Sequence, residues 1–86
     1  MRRFILFEQG AIRVTKVLSE NQDDTIPEHT HDSDELVYVL NGRFKLHIEG
    51  FGDSELSEGG VAFIPKGVKH WGVLSKDCIL IAFFHP

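Results

Sequence analysis

Turn-forming residues punctuate this chain so closely that no amphipathic helix of useful length fits between them. Gln9-Gly10, Asp32-Ser33-Asp34, Asn41-Gly42, the segment 50–53, Gly59-Gly60 and Pro65 each break it. Glycine, asparagine, aspartate and proline relieve or preset the dihedrals that a turn demands. Between the breaks lie short apolar or alternating runs, at residues 4–7 and 11–18 for example. In the second, Ile12, Val14, Lys16 and Leu18 share one face of an extended chain, and Arg13, Thr15 and Val17 share the other. Residues 61–64 are a short apolar strand stopped by Pro65, which cannot donate to a ladder. Residues 68–74 follow, with Val68, His70, Gly72 and Leu74 on one face, and residues 78–84 are apolar on both faces, as in a strand covered on both sides. The result is about eight or nine short strands with closely spaced turns, which is the pattern of an all-β sandwich or small barrel. Residues 1–86 are expected to form a single domain.

The clearest local pattern is Asn41-Gly42 between two alternating runs, residues 35–40 and 43–49. Asn-Gly favours a two-residue type I′ hairpin turn. In that register Leu40 faces Arg43, Val39 faces Phe44, Val37 faces Leu46 and Glu35 faces Ile48. Glu35 then shares an inward apolar face with Val37, Val39, Phe44, Leu46 and Ile48. The outward face carries Leu36, Tyr38 and Leu40 with Arg43, Lys45 and His47, so His47 is an exposed strand histidine. Three outward apolar residues exceed what solvent exposure favours and point to a second layer or a homodimer.

The chemistry concentrates in Pro27-Glu-His-Thr-His-Asp-Ser-Asp-Glu35. His29 and His31 stand two apart, so on an extended chain ending near Asp32 both imidazoles project to one side. Two imidazoles and a carboxylate converging on a point form the donor set of a borderline divalent metal. A second stretch, Gly59 to His70, adds a glycine, a proline, another glycine and a third histidine.

Together the two stretches resemble the cupin family. His29, His31, Glu35 and Gly42 match its first motif, H-x-H-x3-E-x6-G, and Gly59, Pro65, Gly67 and His70 match its second, G-x5-P-x-G-x2-H. Two flanking positions depart, Asp23 where some cupins have glycine and Leu74 where asparagine is frequent, and neither is a ligand position. The resemblance implies a double-stranded β-helix, or jelly-roll barrel, with His29, His31, Glu35 and His70 as metal ligands. Three imidazoles and a carboxylate on an octahedral ion leave about two positions open for water or substrate. Fe, Mn, Ni, Co, Cu and Zn all suit this set. Members of the family include dioxygenases, isomerases, decarboxylases, lyases and barrels that only bind a ligand, and fold alone does not separate these. The reading taken here is a small metalloenzyme, dioxygenase-like or an isomerase or lyase, acting on a small oxygenated or metal-chelating substrate. The alternative is a non-catalytic module that binds a small ligand or metal.

Other features narrow the partners. Net charge is −4 and the nine basic residues are spread along the chain, which argues against a nucleic-acid surface. The arginine-containing start is too short in apolar residues for a signal-peptide core or a membrane span, so a cytoplasmic location is expected. Single Cys78 lies in an apolar run and reads as a buried small hydrophobe. The acids Glu20, Asp23 and Asp24 read as a solvated loop. Val37, Phe44 and Leu46 are inward by register, and Phe63, Trp71 and Phe84 are possible pocket walls. Lys66 and Lys69 flank Gly67 and are expected to be solvated loop lysines. No Ser-His-Asp set and no second carboxylate paired with Glu35 is evident.

Overall fold

In the computed structural model, which describes Met1–Pro86, nine strands form two antiparallel sheets. In chain order they are β1 (Arg2–Gln9), β2 (Ile12–Leu18), β3 (Asp24–His29), β4 (Asp34–Asn41), β5 (Arg43–Ile48), β6 (Gly52–Ser57), β7 (Val61–Ile64), β8 (His70–Leu74) and β9 (Ile79–His85). One sheet has the order β1-β2-β9-β4-β7 and the other β3-β8-β5-β6. No helix is long and apolar enough to cross a membrane.

Alternation along the strands builds the core. Val37 and Val39 of β4, Leu80 of β9 and Val17 of β2 face Phe44, Leu46 and Ile48 of β5 and Leu74 of β8 across the sheets. This is the inward set expected from the sequence, and Glu35 belongs to it. Of residues 68–74, His70, Gly72 and Leu74 also point inward. Gly72 has to be a glycine: a Cβ there would lie 2.2 Å from the Phe44 ring.

The pairing expected at Asn41-Gly42 does not form. β4 pairs with β7 and β9, and β5 pairs with β6 and β8, so the two runs belong to different sheets. A type I′ turn needs positive φ at both central residues. Here Gly42 has φ 83° while Asn41 does not enter that region. Gly42 instead turns the chain from one sheet to the other, tight against the turn that precedes β9. A Cβ at Gly42 would meet Ser75 Oγ at 2.8 Å and Cys78 Cα at 2.9 Å. Hydrogen bonds from Asn41 Nδ2 to the Asp77 carbonyl and from the Arg43 N–H to Ser75 Oγ, both 3.0 Å, fasten the corner. Both arrangements put Glu35 and Phe44 on inward faces, which is why alternation reports the face correctly and the partner wrongly.

Smaller differences have similar causes. Gly52 and Asp53 belong to β6 rather than to a turn. β6 is an edge strand with only Leu56 partly covered, so its alternation is faint. β3 ends at His29 rather than near Asp32. β9 is fully covered on one face only: Leu80 and Ala82 are buried, whereas on the other side Ile79 and Ile81 are half-buried and Phe83 is exposed. Glu20 is exposed as expected but paired, and Asp24 opens β3 and is half-buried. Asp24 Oδ2 accepts hydrogen bonds from Ser19 Oγ, the Glu20 N–H and the Asn21 N–H, and Glu20 reaches the Met1 ammonium at 3.0 Å. Cys78 is fully buried, and burial pushes its thiol up to about 11, so it behaves as a core residue.

Leu36, Tyr38 and Leu40 point outward, as expected, at 40%, 36% and 46% exposure. Register places Phe63 beside Leu36 and Val61 beside Tyr38 on the same outer surface. His47 is also outward, but half-buried. It stacks on Trp71 and its Nδ1 lies 2.6 Å from Asp53 Oδ1.

Candidate metal centre

His29 ends β3 and sits opposite His70, which opens β8. Its inward direction depends on a bulge. Ile26 faces inward, and on a regular strand the residue three further on would face out. Between Ile26 and His29 the register shifts, so that Pro27 and Glu28 oppose the single residue Trp71, and His29 returns to the inner face. Proline is tolerated there because β3 is an edge strand.

His31 lies in the loop after β3, which is held by hydrogen bonds from the Gly67 and Lys66 N–H groups. The His31 carbonyl accepts the Gly67 N–H at 2.9 Å, and Asp34 Oδ1 accepts the Lys66 N–H at 2.8 Å. These bonds stitch the loop that follows His29 and carries His31 to the Pro65–Gly67 turn that leads to His70. Glu35 follows on β4 between Ile64 of β7 and Phe84 of β9, and only 8% of it is exposed.

The four side chains converge. The imidazoles of His29, His31 and His70 each offer a nitrogen, and these nitrogens lie within 4.8 Å of one another. His29 Nε2 is 2.9 Å from His31 Nε2, and Glu35 Oε1 is 3.1 Å from His31 Nε2 and 3.4 Å from His70 Nε2. Two of the rings are oriented from behind. His29 Nδ1 donates to the Pro27 carbonyl at 2.7 Å, and His70 Nδ1 donates to the Val68 carbonyl at 3.0 Å. A carbonyl only accepts, so each Nδ1 carries the hydrogen and each Nε2 of the neutral ring keeps a lone pair turned inward. A backbone carbonyl behind the ring is also how metal-ligating histidines are commonly held.

Two buried atoms, Glu35 Oε1 and His70 Nε2, have no hydrogen-bond partner. They lie 3.4 Å apart, but each presents a lone pair to the other, so no hydrogen bond joins them. Buried polar atoms normally find partners, and orphaned ones carry a cost of about 1–3 kcal/mol each. Lone pairs facing one another at such distances also repel. A cation among them removes both penalties, and nitrogen and carboxylate donors suit a divalent transition ion. The residues present therefore fit a metal.

Protonation follows the same crowding. Burial lowers the pKa of His31, with the neighbouring His29 and His70 adding to the effect and Glu35 opposing it. Burial also works to lower that of His70, but its interaction with Glu35 and the bond to the Val68 carbonyl outweigh it, and the value is raised.

A cavity of about 590 Å³ holds this cluster. Val37, Phe44 and Leu46 line it as expected, and Phe84 meets the His31 ring edge-on at 5.0 Å. Phe63 and Trp71 do not line it. They alternate outward and are exposed. Lys66 and Lys69 lie outside it as well, Lys66 reaching toward the fully exposed Asp32 at 3.7 Å. Sequence reading missed the contribution of the first hairpin, where Arg3, Glu8 and Arg13 line the same cavity. A signal was available for Arg13, which alternates onto one face with Thr15 and Val17. For β1 there was none, because apolar residues fall on both of its faces.

Residues 16–84 match the cupin domain family. The chain belongs to the cupin family. Among relatives of this cupin, an acireductone dioxygenase from Gluconacetobacter diazotrophicus is 32% identical over 75 residues, which cover 81% of the chain and 42% of the relative. An uncharacterised protein from Aquifex aeolicus is 31% identical over 91 residues, covering 91% and 74%. The fold superposes on an RmlC-like cupin from Shewanella frigidimarina with a TM-score of 0.87 at 26% identity, over 98% of this chain and 74% of the other. This cupin spans less than half the length of the dioxygenase it matches.

Proposed function

We propose that this cupin holds one divalent transition metal through His29, His31, Glu35 and His70 and acts with it on a small oxygenated or chelating molecule, with dioxygenase-type chemistry first. The carrying observation is the pair of orphaned buried atoms, Glu35 Oε1 and His70 Nε2, in a cluster whose rings are fixed from behind by backbone carbonyls. Similarity to acireductone dioxygenases supports the choice of chemistry. A bound ion supplies Lewis acidity and, where the metal is redox-active, electron exchange with O2. The chain's own residues do the rest. Phe84, Val37 and Leu46 keep this wall apolar, and Glu35 would set a negative charge against the ion. No second carboxylate stands by Glu35 as a general base, so a substrate that carries its own acidic or chelating oxygen is favoured.

Reconstitution with Fe(II), Mn(II), Ni(II), Co(II), Cu(II) and Zn(II), followed by a screen of catechols, β-diketones, keto acids and phosphosugars with and without O2, tests this. Oxygen-dependent turnover with a redox-active metal supports the dioxygenase reading. Anaerobic turnover that tolerates zinc replaces it with isomerase or lyase chemistry. Ligand binding without turnover for any metal replaces both with a non-catalytic binding module, a reading favoured by the largely apolar wall. The same proposal places the protein in the cytoplasm as a homodimer through the outer face that carries Leu36, Tyr38 and Leu40. Tyr38→Glu should then shift sedimentation toward monomer, and a wild type that sediments as monomer at micromolar concentration excludes the dimer.

A further inference from the structure

The charges that line the metal cavity do not cancel evenly. Arg13 and Glu8 form a pair of their own at 2.8 Å, and Asp32 is turned fully to solvent. Glu35 faces His31 and His70. Arg3 remains, and it makes no ion pair with any carboxylate: its guanidinium meets only Met1 Sδ, at 3.9 Å. The other arginines are engaged elsewhere, Arg43 near Glu55 at 3.7 Å and Arg2 over the Phe4 ring.

Arg3 is nevertheless directed inward. In the β1–β2 ladder it stands opposite Val17, a core residue at 3% exposure, so its side chain leaves the strand on the cavity side. Ile5, the next inward residue of β1, is 60% exposed, so the cavity is open along this edge and a ligand can reach Arg3 from solvent. An unpaired guanidinium presents a planar fork of donors that matches the paired oxygens of a carboxylate or phosphate. A cavity of about 590 Å³ is of the size that encloses a small ligand.

We propose that Arg3 binds the anionic end of the ligand, a carboxylate or phosphate group, while the ligand's other, oxygen-bearing end meets the cluster of His29, His31, Glu35 and His70. The substrate class is thus a compact organic acid with a chelating hydroxy or keto group at one end and a second anion at the other. This rests on the metal reading above and specifies the substrate of the same site. β1 then has a purpose beyond extending the sheet: it brings the one unpaired inward cation to the open side of the barrel.

Three probes share a 2-hydroxy acid end and differ only at the other end: malate carries a carboxylate, 3-phosphoglycerate a phosphate, and lactate neither. Titration calorimetry on the Zn(II)-loaded full chain should show malate or 3-phosphoglycerate binding on the order of tenfold tighter than lactate. Whichever of the two binds better identifies the anion. Arg3→Gln should abolish the preference while metal content and melting temperature stay at wild-type values, since Arg3 is exposed and holds no core contact. Arg3→Lys should restore part of the preference. A preference unchanged in Arg3→Gln, or no preference in the wild type, overturns the role of Arg3 and leaves the metal reading standing. If the wild type takes up no metal, it is the metal reading that fails. The same titrations on the metal-free chain then decide on Arg3, because its contact with the remote anion needs no ion.

Discussion

The interior of this cupin has two ends built on the same strands. At one end, β4 contributes Val39 and β8 contributes Leu74, both at 0% exposure, packed with Cys78 and Leu80. At the other end, β4 contributes Glu35 and β8 contributes His70, equally inward and nearly as buried, and two of their polar atoms have no partner. Alternation makes no distinction between the ends, and residue chemistry does. The apolar end is stabilised by packing that is present at all times. The polar end gathers groups that cost stability until something charged joins them. A fold with so small a core can carry such a site because the cost sits at the open end of the barrel, and on the metal reading proposed above it would be offset by the bound ion.

The largest contrast should come from Leu74→Ala. Removing a fully buried leucine side chain is expected to cost about 2–5 kcal/mol, read as a lower urea midpoint. The variant, while folded, should bind metal as the wild type does, because the lost atoms are at the far end.

How much of this contrast is legible in the sequence differs between the ends. The inward set from Glu35 to Ile48 could be read because apolar residues recur at every second position, and the cluster of His29, His31, Glu35 and His70 could be read because histidine, glutamate, proline and glycine recur at fixed spacings. Strand pairing could not. Asn41-Gly42 has the composition of a tight hairpin, but the contacts that make it a corner come from Ser75 and Cys78, far along the chain. The bulge at Pro27-Glu28 was hidden for a similar reason, since it exists only in relation to Trp71 on another strand. The place of Arg3 in the cavity was invisible because β1 shows no apolar face to contrast with a polar one.

A smaller effect is expected from His70→Gln in metal-free protein. His70 has its pKa raised in the folded state, so the stability it contributes is present below its unfolded value of about 6.5 and is lost as pH rises through the folded value. The gap in urea midpoint between wild type and His70→Gln should therefore be wider at pH 5 than at pH 9. His31 runs the other way: burial depresses its folded value, so its contribution is present above its unfolded value of about 6.5 and is lost as pH falls from there through the lower folded value. His31→Gln should accordingly show the wider gap at the alkaline end. Equal gaps at both pH values in both variants would mean that the cluster does not perturb these imidazoles.

The smallest effect should appear at Asp24, outside the site and beside the apolar end. Hydrogen bonds from the Glu20 and Asn21 N–H groups, with Ser19 and the Met1 ammonium helping, pull its carboxyl from 3.8 down to about 2. A depressed carboxyl contributes stability above its unfolded value, and that contribution is lost as pH falls toward its folded one. The stability difference between wild type and Asp24→Asn should thus be constant from pH 7 to pH 5 and close between pH 3.8 and about 2. A series of urea titrations across that range checks it.

The most direct test of the metal centre combines metal content with thermal stability. Wild type and the His29→Ala, His31→Ala, Glu35→Ala and His70→Ala variants are stripped of metal, titrated with Mn(II) and with Zn(II), and melted. The expected result is one ion per chain in the wild type, with a melting temperature that rises with ion concentration, and loss of most of both in each variant. Wild-type stoichiometry and an undiminished rise in all four variants, or no ion bound by the wild type, would contradict it.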